Sequence, residues 1–197
     1  ACTLADAART SRADDSVVVA TAVQALLSNQ APGAADAWGA AFDASQSSLA
    51  DRLRLALIGL AAPNTPPTIA DRLSRADEPL IRGLGAAAVG LRDGRLDGAM
   101  ALIGQRYALG AAWLLEAIED VDDALAAPVL EALIAESSTE QSASNWELRE
   151  EGVRAADALA ERAPDGFMAL LSEAAGEGDI RTQHTLLGGH QPRDRHR

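Results

Sequence analysis

Few residues in this chain could do chemistry, and their spacing limits what that chemistry could be. His184, His190 and His196 are its only histidines. A metal site needs ligands fixed close together on ordered elements, and these three have no tight ligand spacing. The acidic cluster Glu116, Glu119, Asp120, Asp122 and Asp123 could attract Ca²⁺ or a basic partner. It lacks the alternating Asp-x-Asp-x-Asp-Gly loop that wraps a calcium ion, so it reads as a solvated helix end. Cys2 is the single cysteine, which excludes an intramolecular disulfide or a cysteine metal cluster, and no activating partner for it is recognisable. Gly83-x-Gly85 with Gly90 follows no strand and so does not read as a phosphate loop. Glycines inside a helix instead permit close contact, at about 1 kcal/mol each against alanine. No Gly-x-Ser-x-Gly elbow, Walker sequence or His-Glu-x-x-His occurs. The expectation is a non-enzymatic chain with no cofactor.

Binding is the better expectation. Tryptophan is enriched at interface hot spots, and the chain has Trp38, Trp113 and Trp146. Trp113 reads as core, whereas Trp146 adjoins the polar, small-residue run SSTEQSASN (137–145) and is the first to test as a binder. The binding set is Trp146, Trp113, Arg82 and Arg154. The formal net charge is −12, and all 17 basic residues are Arg. Nucleic-acid binding needs a basic patch to neutralise phosphates, so this balance argues against nucleic acid and for a protein, a peptide or a cationic partner. The plainer account of the acidity is a soluble, self-repelling surface. Ala1-Cys2 looks like the end of a bacterial lipoprotein signal, with a small residue before the lipid-bearing cysteine. Membrane contact is expected only through such a lipid on Cys2. The location is then a periplasmic lipoprotein, or the cytoplasm if the cysteine is unmodified. No apolar run approaches the ~20 residues of a membrane span, since 79–91 contains Arg82.

The elements that would position these residues are helical. The chain is 48% hydrophobic but 3% aromatic, with Ala and Leu dominant, which favours helix over strand. Small side chains let helices approach closely and suit stacked helical pairs. Asp15-Ser16 caps a run to Ser28, and 29–33 (NQAPG) ends it with turn chemistry. Residues 34–44 place Trp38 and Phe42 four apart on one face. Ser47-Ser48 starts the next unit, and Thr65 before Pro66 predicts another helix start, with Ile69 and Leu73 following. Leu96, Ala99, Met100 and Ile103 share a face, as do Tyr107, Gly110, Ala111, Leu114 and Ile118. Pro128 either kinks its helix or begins it. Ala163-Pro164-Asp165-Gly166 interrupts the run from 153. Phe167, Leu170, Leu171 and Ala174 then recur at helical spacing before the Gly176-Glu177-Gly178 turn.

Within this pattern a short unit recurs. Val153-Arg154-Ala155-Ala156 is restated by Ile180-Arg181, Arg154 to Arg181 being 27 residues. Leu53-Arg54-Leu55-Ala56 matches it, and Ile81-Arg82 follows, Arg54 to Arg82 being 28 residues. Arg106-Tyr107 comes 24 residues after Arg82 and 48 before Arg154, so an insertion is expected there, carried by 137–145. Periods of this length signal a solenoid.

At these residues the chain resembles the HEAT-repeat family, in the short form of about thirty residues found in bacterial HEAT-like and phycobilisome-lyase-type repeats. The carriers are Val153-Arg154-Ala155-Ala156-Asp157-Ala158-Leu159 with Pro164-Asp165, then Ile180-Arg181, with echoes at Leu53-Arg54-Leu55-Ala56 and Ile81-Arg82, covering residues 47–190. The resemblance implies an all-α fold, a short right-handed α-solenoid of stacked antiparallel hairpins. Residues 1–15 form a tether, 16–190 the repeat domain and 191–197 a polar tail. In such arrays the recurrent Arg often pairs with an acidic residue of the adjacent turn, for which Asp77, Glu150 and Asp179 are available to Arg54, Arg82, Arg154 and Arg181. Function would be partner binding on the concave face and at the 137–146 edge, as an adaptor, an envelope assembly factor or a toxin inhibitor. The alternative is an enzyme on the same scaffold, of lyase or nucleic-acid repair type. The His-Glu pairs of di-iron HEAT hydroxylases are not present, and the basic character of HEAT-like glycosylases is missing. A compact helical bundle is a third architecture. In the last copy Gln183 and His184 replace small residues, as an end cap requires.

Overall fold

Apolar residues at helical spacing, punctuated by Gly, Pro and short polar caps, become helices throughout. A computed structural model of the chain describes residues 16–62 and 66–188. The expectations placed on residues 1–15, Cys2, the Thr65 cap, His190, His196 and the tail 191–197 lie outside the described residues. Among those described there are eleven helices and no strand. They are α1 (Ser16–Ser28), α2 (Ala34–Ala44), α3 (Leu49–Leu60), α4 (Pro67–Leu73), α5 (Pro79–Arg92) and α6 (Asp97–Ile103). Then come α7 (Ala108–Ala117), α8 (Asp123–Ser137), α9 (Trp146–Arg162), α10 (Pro164–Glu177) and α11 (Ile180–Gly188). The chain is all-α, and none of these helices is long and apolar enough to cross a membrane.

The caps explain the boundaries. The side chains of Ser48, Asp122 and Asn145 accept from the backbone N–H groups of Asp51, Ala124 and Leu148, starting α3, α8 and α9. Proline opens α4 and α10, where a missing N–H costs nothing. At the end of α1, Gln30 N–H donates to Leu27 O at 3.0 Å and Ala31 N–H to Leu26 O at 2.9 Å. This closure needs a left-handed residue, and Gln30 supplies it at φ 50°. The same closure uses glycine after α5 and α10, at Gly94 (φ 69°) and Gly178 (φ 71°). Pro128 lies inside α8, which Asp122 and Asp123 have already begun. It has no N–H to offer the Ala124 carbonyl, so neighbouring packing must hold that turn.

Contacts divide the chain into two compact units, Ala1–Val89 and Gly90–Arg197, the boundary falling within α5. In the first, α1 packs on α2 and α3, α2 on α3 and α4, and α3 on α4. Trp38 is the largest side chain of this core and is 1% exposed. Its indole stacks on Phe42 with ring centroids 5.1 Å apart, and its Nε1–H donates to Leu55 O at 2.7 Å, tying α2 to α3. The Arg52 guanidinium lies 4.5 Å from the centre of the Phe42 ring and pairs with Glu78. Val23, Leu27, Ala37, Leu55, Ile69, Leu73 and Ile81 fill the space around them.

In the second unit α9 packs on α7, α8, α10 and α11, while α6 packs on α7 and α8. Leu114, Ile118, Val129, Leu130, Leu133, Ile134, Leu159 and Leu186 are fully buried there. Burying each such side chain contributes about 1.5–3 kcal/mol.

Glycine sets how near some helices come. A Cβ on Gly85 would stand 2.2 Å from the Ser74 backbone nitrogen and 2.7 Å from Leu73 Cβ, which backbone cannot relieve cheaply. Gly85 therefore permits a close helix contact. Gly176, also helical, faces open space, and a methyl group added there would have nothing within 4 Å. In thermal melts, Gly85→Ala is expected to cost about 3 kcal/mol by overpacking, whereas Gly176→Ala should stabilise by about 0.5–1 kcal/mol. Equal melting temperatures for the two variants would contradict the packing account.

Candidate functional site

The end of α8, the turn 138–145 and the starts of α9 and α11 enclose a cleft of about 140 Å³. Ser137, Ser138, Thr139, Ala143, Arg149, Ile180, Arg181, His184 and Thr185 line it. These elements meet because α9 carries Gly152 where it crosses α8. A Cβ there would lie 1.9 Å from Ser137 Oγ and 3.2 Å from Thr185 Cγ2. The hydroxyl groups are committed within the protein. Ser137 and Ser138 Oγ are 2.9 and 2.7 Å from Ile134 O, and Ser138 Oγ is also 2.9 Å from Thr185 Oγ1. Thr139 Oγ1 donates to Glu136 O at 2.9 Å. Satisfied hydroxyls of this kind make a rigid polar floor.

The rim is cationic and less committed. Among the described residues the Arg149 guanidinium has no ion pair or side-chain hydrogen bond. Arg181 has a long pairing, 3.8 Å to Glu140, whose side chain is 82% exposed, and its charge also acts on Asp179. Asp179 fixes the start of α11: its carboxylate accepts from the Thr182 hydroxyl at 2.6 Å and from the backbone N–H groups of Thr182 and Arg181, each at 3.1 Å. The Thr182 hydroxyl, then these N–H groups, hold the Asp179 carboxyl below its ordinary value.

Trp146 opens α9 three residues before Arg149 and is 68% exposed. Residues three apart share a helix face, so its indole stands about one turn from the cleft. Asn145 holds this corner twice, accepting from Leu148 N–H at 3.1 Å and donating to Arg106 O at 3.4 Å. Arg106, left-handed at φ 59°, pairs with Glu136 of α8. Ile180, 66% exposed, adds apolar surface on the α11 side.

Of the four binding residues expected from the sequence, Trp146, Trp113 and Arg154 belong to the second unit, where they do not share one surface, and Arg82 belongs to the first. Trp113 is buried in the second unit, in α7. Arg154 follows Trp146 on α9 by more than two turns and pairs with Glu151 at 2.6 Å. Burial pushes the Glu151 carboxyl up, outweighing the Arg154 guanidinium, with Glu150 and Glu116 adding to the rise. Arg82 belongs to the first unit, where its Nη1 donates to the carbonyls of Ala76 and Asp77, each at 3.0 Å. The expected pairing with adjacent-turn acids also takes another form. Arg54 and Arg154 pair inside their own helices with Asp51 and Glu151, and Arg82 takes the Asp77 carbonyl rather than its carboxylate. The links between elements come instead from Arg52 to Glu78, Arg72 to Asp43, Arg106 to Glu136 and Arg162 to Asp123.

The acidic turn at 119–123 is tied down in the same way. Arg162 Nε donates to Asp123 Oδ1 and its Nη1 to Ile118 O, both at 2.7 Å, and Nη2 donates to Val121 O. Among the described residues no three His, Cys, Asp or Glu side chains converge to hold a metal. A larger, shallower cleft of about 510 Å³ lies in the first unit, lined by Phe42, Asp43, Arg52, Thr68, Asp71, Arg72, Arg75, Ala76 and Asp77. Its charges offset one another, and Asp43 is tied to Arg72. Arg149 had no signal in sequence, and Ile180, Arg181 and His184 were marked there as repeat and end cap rather than as the lining of a cleft. No family model matches the chain, and no curated protein or solved structure matches it.

Because its folded value is lowered, the Asp179 carboxylate contributes stability that is fully present above the ordinary carboxyl range and is lost as pH falls through that lowered value. Asp179→Ala should therefore be less stable than the parent by a constant amount from about pH 7 to about pH 5, with the gap closing below about pH 4. Denaturant melts across that range would measure it, and a gap that widened in acid would contradict the capping role.

Proposed function

We propose that the chain is a non-enzymatic binding module, a short α-solenoid of HEAT-like hairpins that holds a protein or peptide partner, with the 137–146 edge as part of its contact surface. The observation that carries the reading is Trp146, a large side chain left 68% exposed on a corner held by Asn145 and next to a formed cleft. An exposed indole on a rigid element is costly to leave in water and is a frequent hot spot.

The solenoid part of the reading is supported by which helices are neighbours. Within the first unit α1 packs on α3 and α2 on α4; within the second α6 packs on α8, α7 on α9 and α9 on α11. Contact between elements two apart is what stacked hairpins produce, each layer resting on the next. A lyase or repair enzyme on the same scaffold has less support. It would join buried acidic and aromatic groups in one pocket, whereas the described lining of the second-unit cleft holds neither an acid nor a Phe, Tyr or Trp ring.

In pull-downs with the full chain, Trp146→Ala should lose at least one partner captured by the parent, at roughly thirtyfold lower affinity if the indole is a hot spot of about 2 kcal/mol. Trp146 contributes little to the core, so the variant should melt with the parent. Capture of every partner at unchanged strength would remove the edge from the binding surface.

A further inference from the structure

The rim of the second-unit cleft carries the opposite sign from the chain as a whole. Arg149 and Arg181 face one cleft of about 140 Å³, with no carboxylate among the described lining residues, in a protein of net charge −12. Of the carboxylates nearby, Glu136 is held by Arg106, Glu151 by Arg154 and Asp179 by the start of α11, while Glu147 and Glu150 flank Arg149 in sequence without lining the cleft. Glu140 approaches a rim cation, and it does so loosely, at 3.8 Å from Arg181. We propose that this cleft takes a carboxylate side chain of an acidic peptide, with Trp146 and Ile180 covering the apolar residues beside that acid. The proposal rests on the reading of the chain as a binding module and names the chemistry of the partner.

Three features argue for this occupant. The guanidinium of Arg149 is uncommitted among the described residues, so a carboxylate would gain charge-assisted hydrogen bonds without breaking one. Screening decides between the local and the overall charge. At physiological salt the Debye length is about 8 Å, so distant acidic residues are muted while cations at the cleft act at contact range. Finally, Trp146 and Ile180 are 68% and 66% exposed on the elements that flank the cleft. A free oxyanion would leave them uncovered, whereas a peptide alternating acidic and apolar residues covers both. In the absence of a partner, Glu140 occupies part of that role toward Arg181, so an acidic ligand must compete with it.

The test is calorimetric titration of the full chain with a short amidated Glu/Leu peptide. Its Gln/Leu counterpart, inorganic phosphate and phosphatidylserine vesicles form the other arms. The Glu/Leu peptide should bind saturably. Arg149→Ala and Arg181→Ala should each weaken it about tenfold, the scale of a hydrogen bond to a charged group. Glu140→Gln should strengthen it by about two- to fivefold, the scale of an exposed ion pair. All these side chains are exposed, and unchanged melting curves would show the variants folded. Equal binding of the Gln/Leu peptide, indifference to both Arg substitutions, or no binding of the Glu/Leu peptide would each overturn the proposal. So would binding of phosphate or vesicles in its place. Failure here with Trp146-dependent capture intact removes the acidic ligand and leaves the binding module. Peptide binding without Trp146-dependent capture would keep the carboxylate in the cleft and remove Trp146 from the surface that covers the peptide.

Discussion

The close approach of α9 to α8 and α11, permitted by the absence of a side chain at Gly152, is the constraint on which the second unit depends. With α9 pressed against Ser137 and Thr185, the hydroxyls of Ser137, Ser138 and Thr185 are drawn into the protein. Buried hydroxyls must find partners, and they find the Ile134 carbonyl and one another. The longer side chains of Arg149, Arg181 and His184 are left to form the rim. The first unit obeys the same constraint at Gly59, where a Cβ would meet Trp38 Nε1 at 2.7 Å and Ile69 Cγ2 at 2.8 Å. A composition poor in aromatics thus builds its cores by shortening the distance between helices rather than by enlarging the side chains between them.

Arginine supplies the second kind of tie. Several of these pairs lie at the surface, where an isolated ion pair contributes about 0.2–1 kcal/mol. Arg162 differs in kind, because its side chain is 20% exposed and it serves two backbone carbonyls as well as Asp123. It joins Val121 N–H on the Ile118 carbonyl and gives the Val121 carbonyl a donor, so it holds the turn that follows α7. The cluster of acids at 116–123 is therefore partly architectural, with Asp122 capping α8 and Asp123 answering Arg162.

How far the sequence could be read depends on the range of the interaction. Local chemistry was legible: the helix at 34–44, the shared face of Trp38 and Phe42, the stop at Asn29-Gln30 and the starts at Ser48 and Pro164 follow from spacing and caps. Arg54 and Arg154 drew attention because they follow an apolar residue in a repeated phrase. Yet Arg54 and Arg154 lie mid-helix, Arg82 and Arg181 near helix starts, and Arg106 between helices. Periodicity tells which face a residue occupies but not which helix will lie opposite it, so the bridging arginines 52, 72 and 162 carried no distinguishing signal, and Arg106 was marked as part of the repeat and not as a bridge. The cleft was hidden for the same reason. Its lining comes from three separated stretches; the polar run beside Trp146 was read as a binding edge, Ile180-Arg181 and His184 as repeat and cap, and nothing in the spacing placed them together.

The preference for neighbours one or two elements away bears on the order in which the protein is made. The clustered core of the first unit draws its residues from Ala20 to Ile81. A ribosome has therefore supplied that whole core before it reaches the second unit. Short separations between contacting elements keep the entropy of loop closure small and favour fast assembly. Synthesis at about 5–20 residues per second is slow by comparison, so each helix can settle against those before it as it emerges. The N-terminal core can thus be in place before the residues of α9 and α11 that form the cleft have left the ribosome.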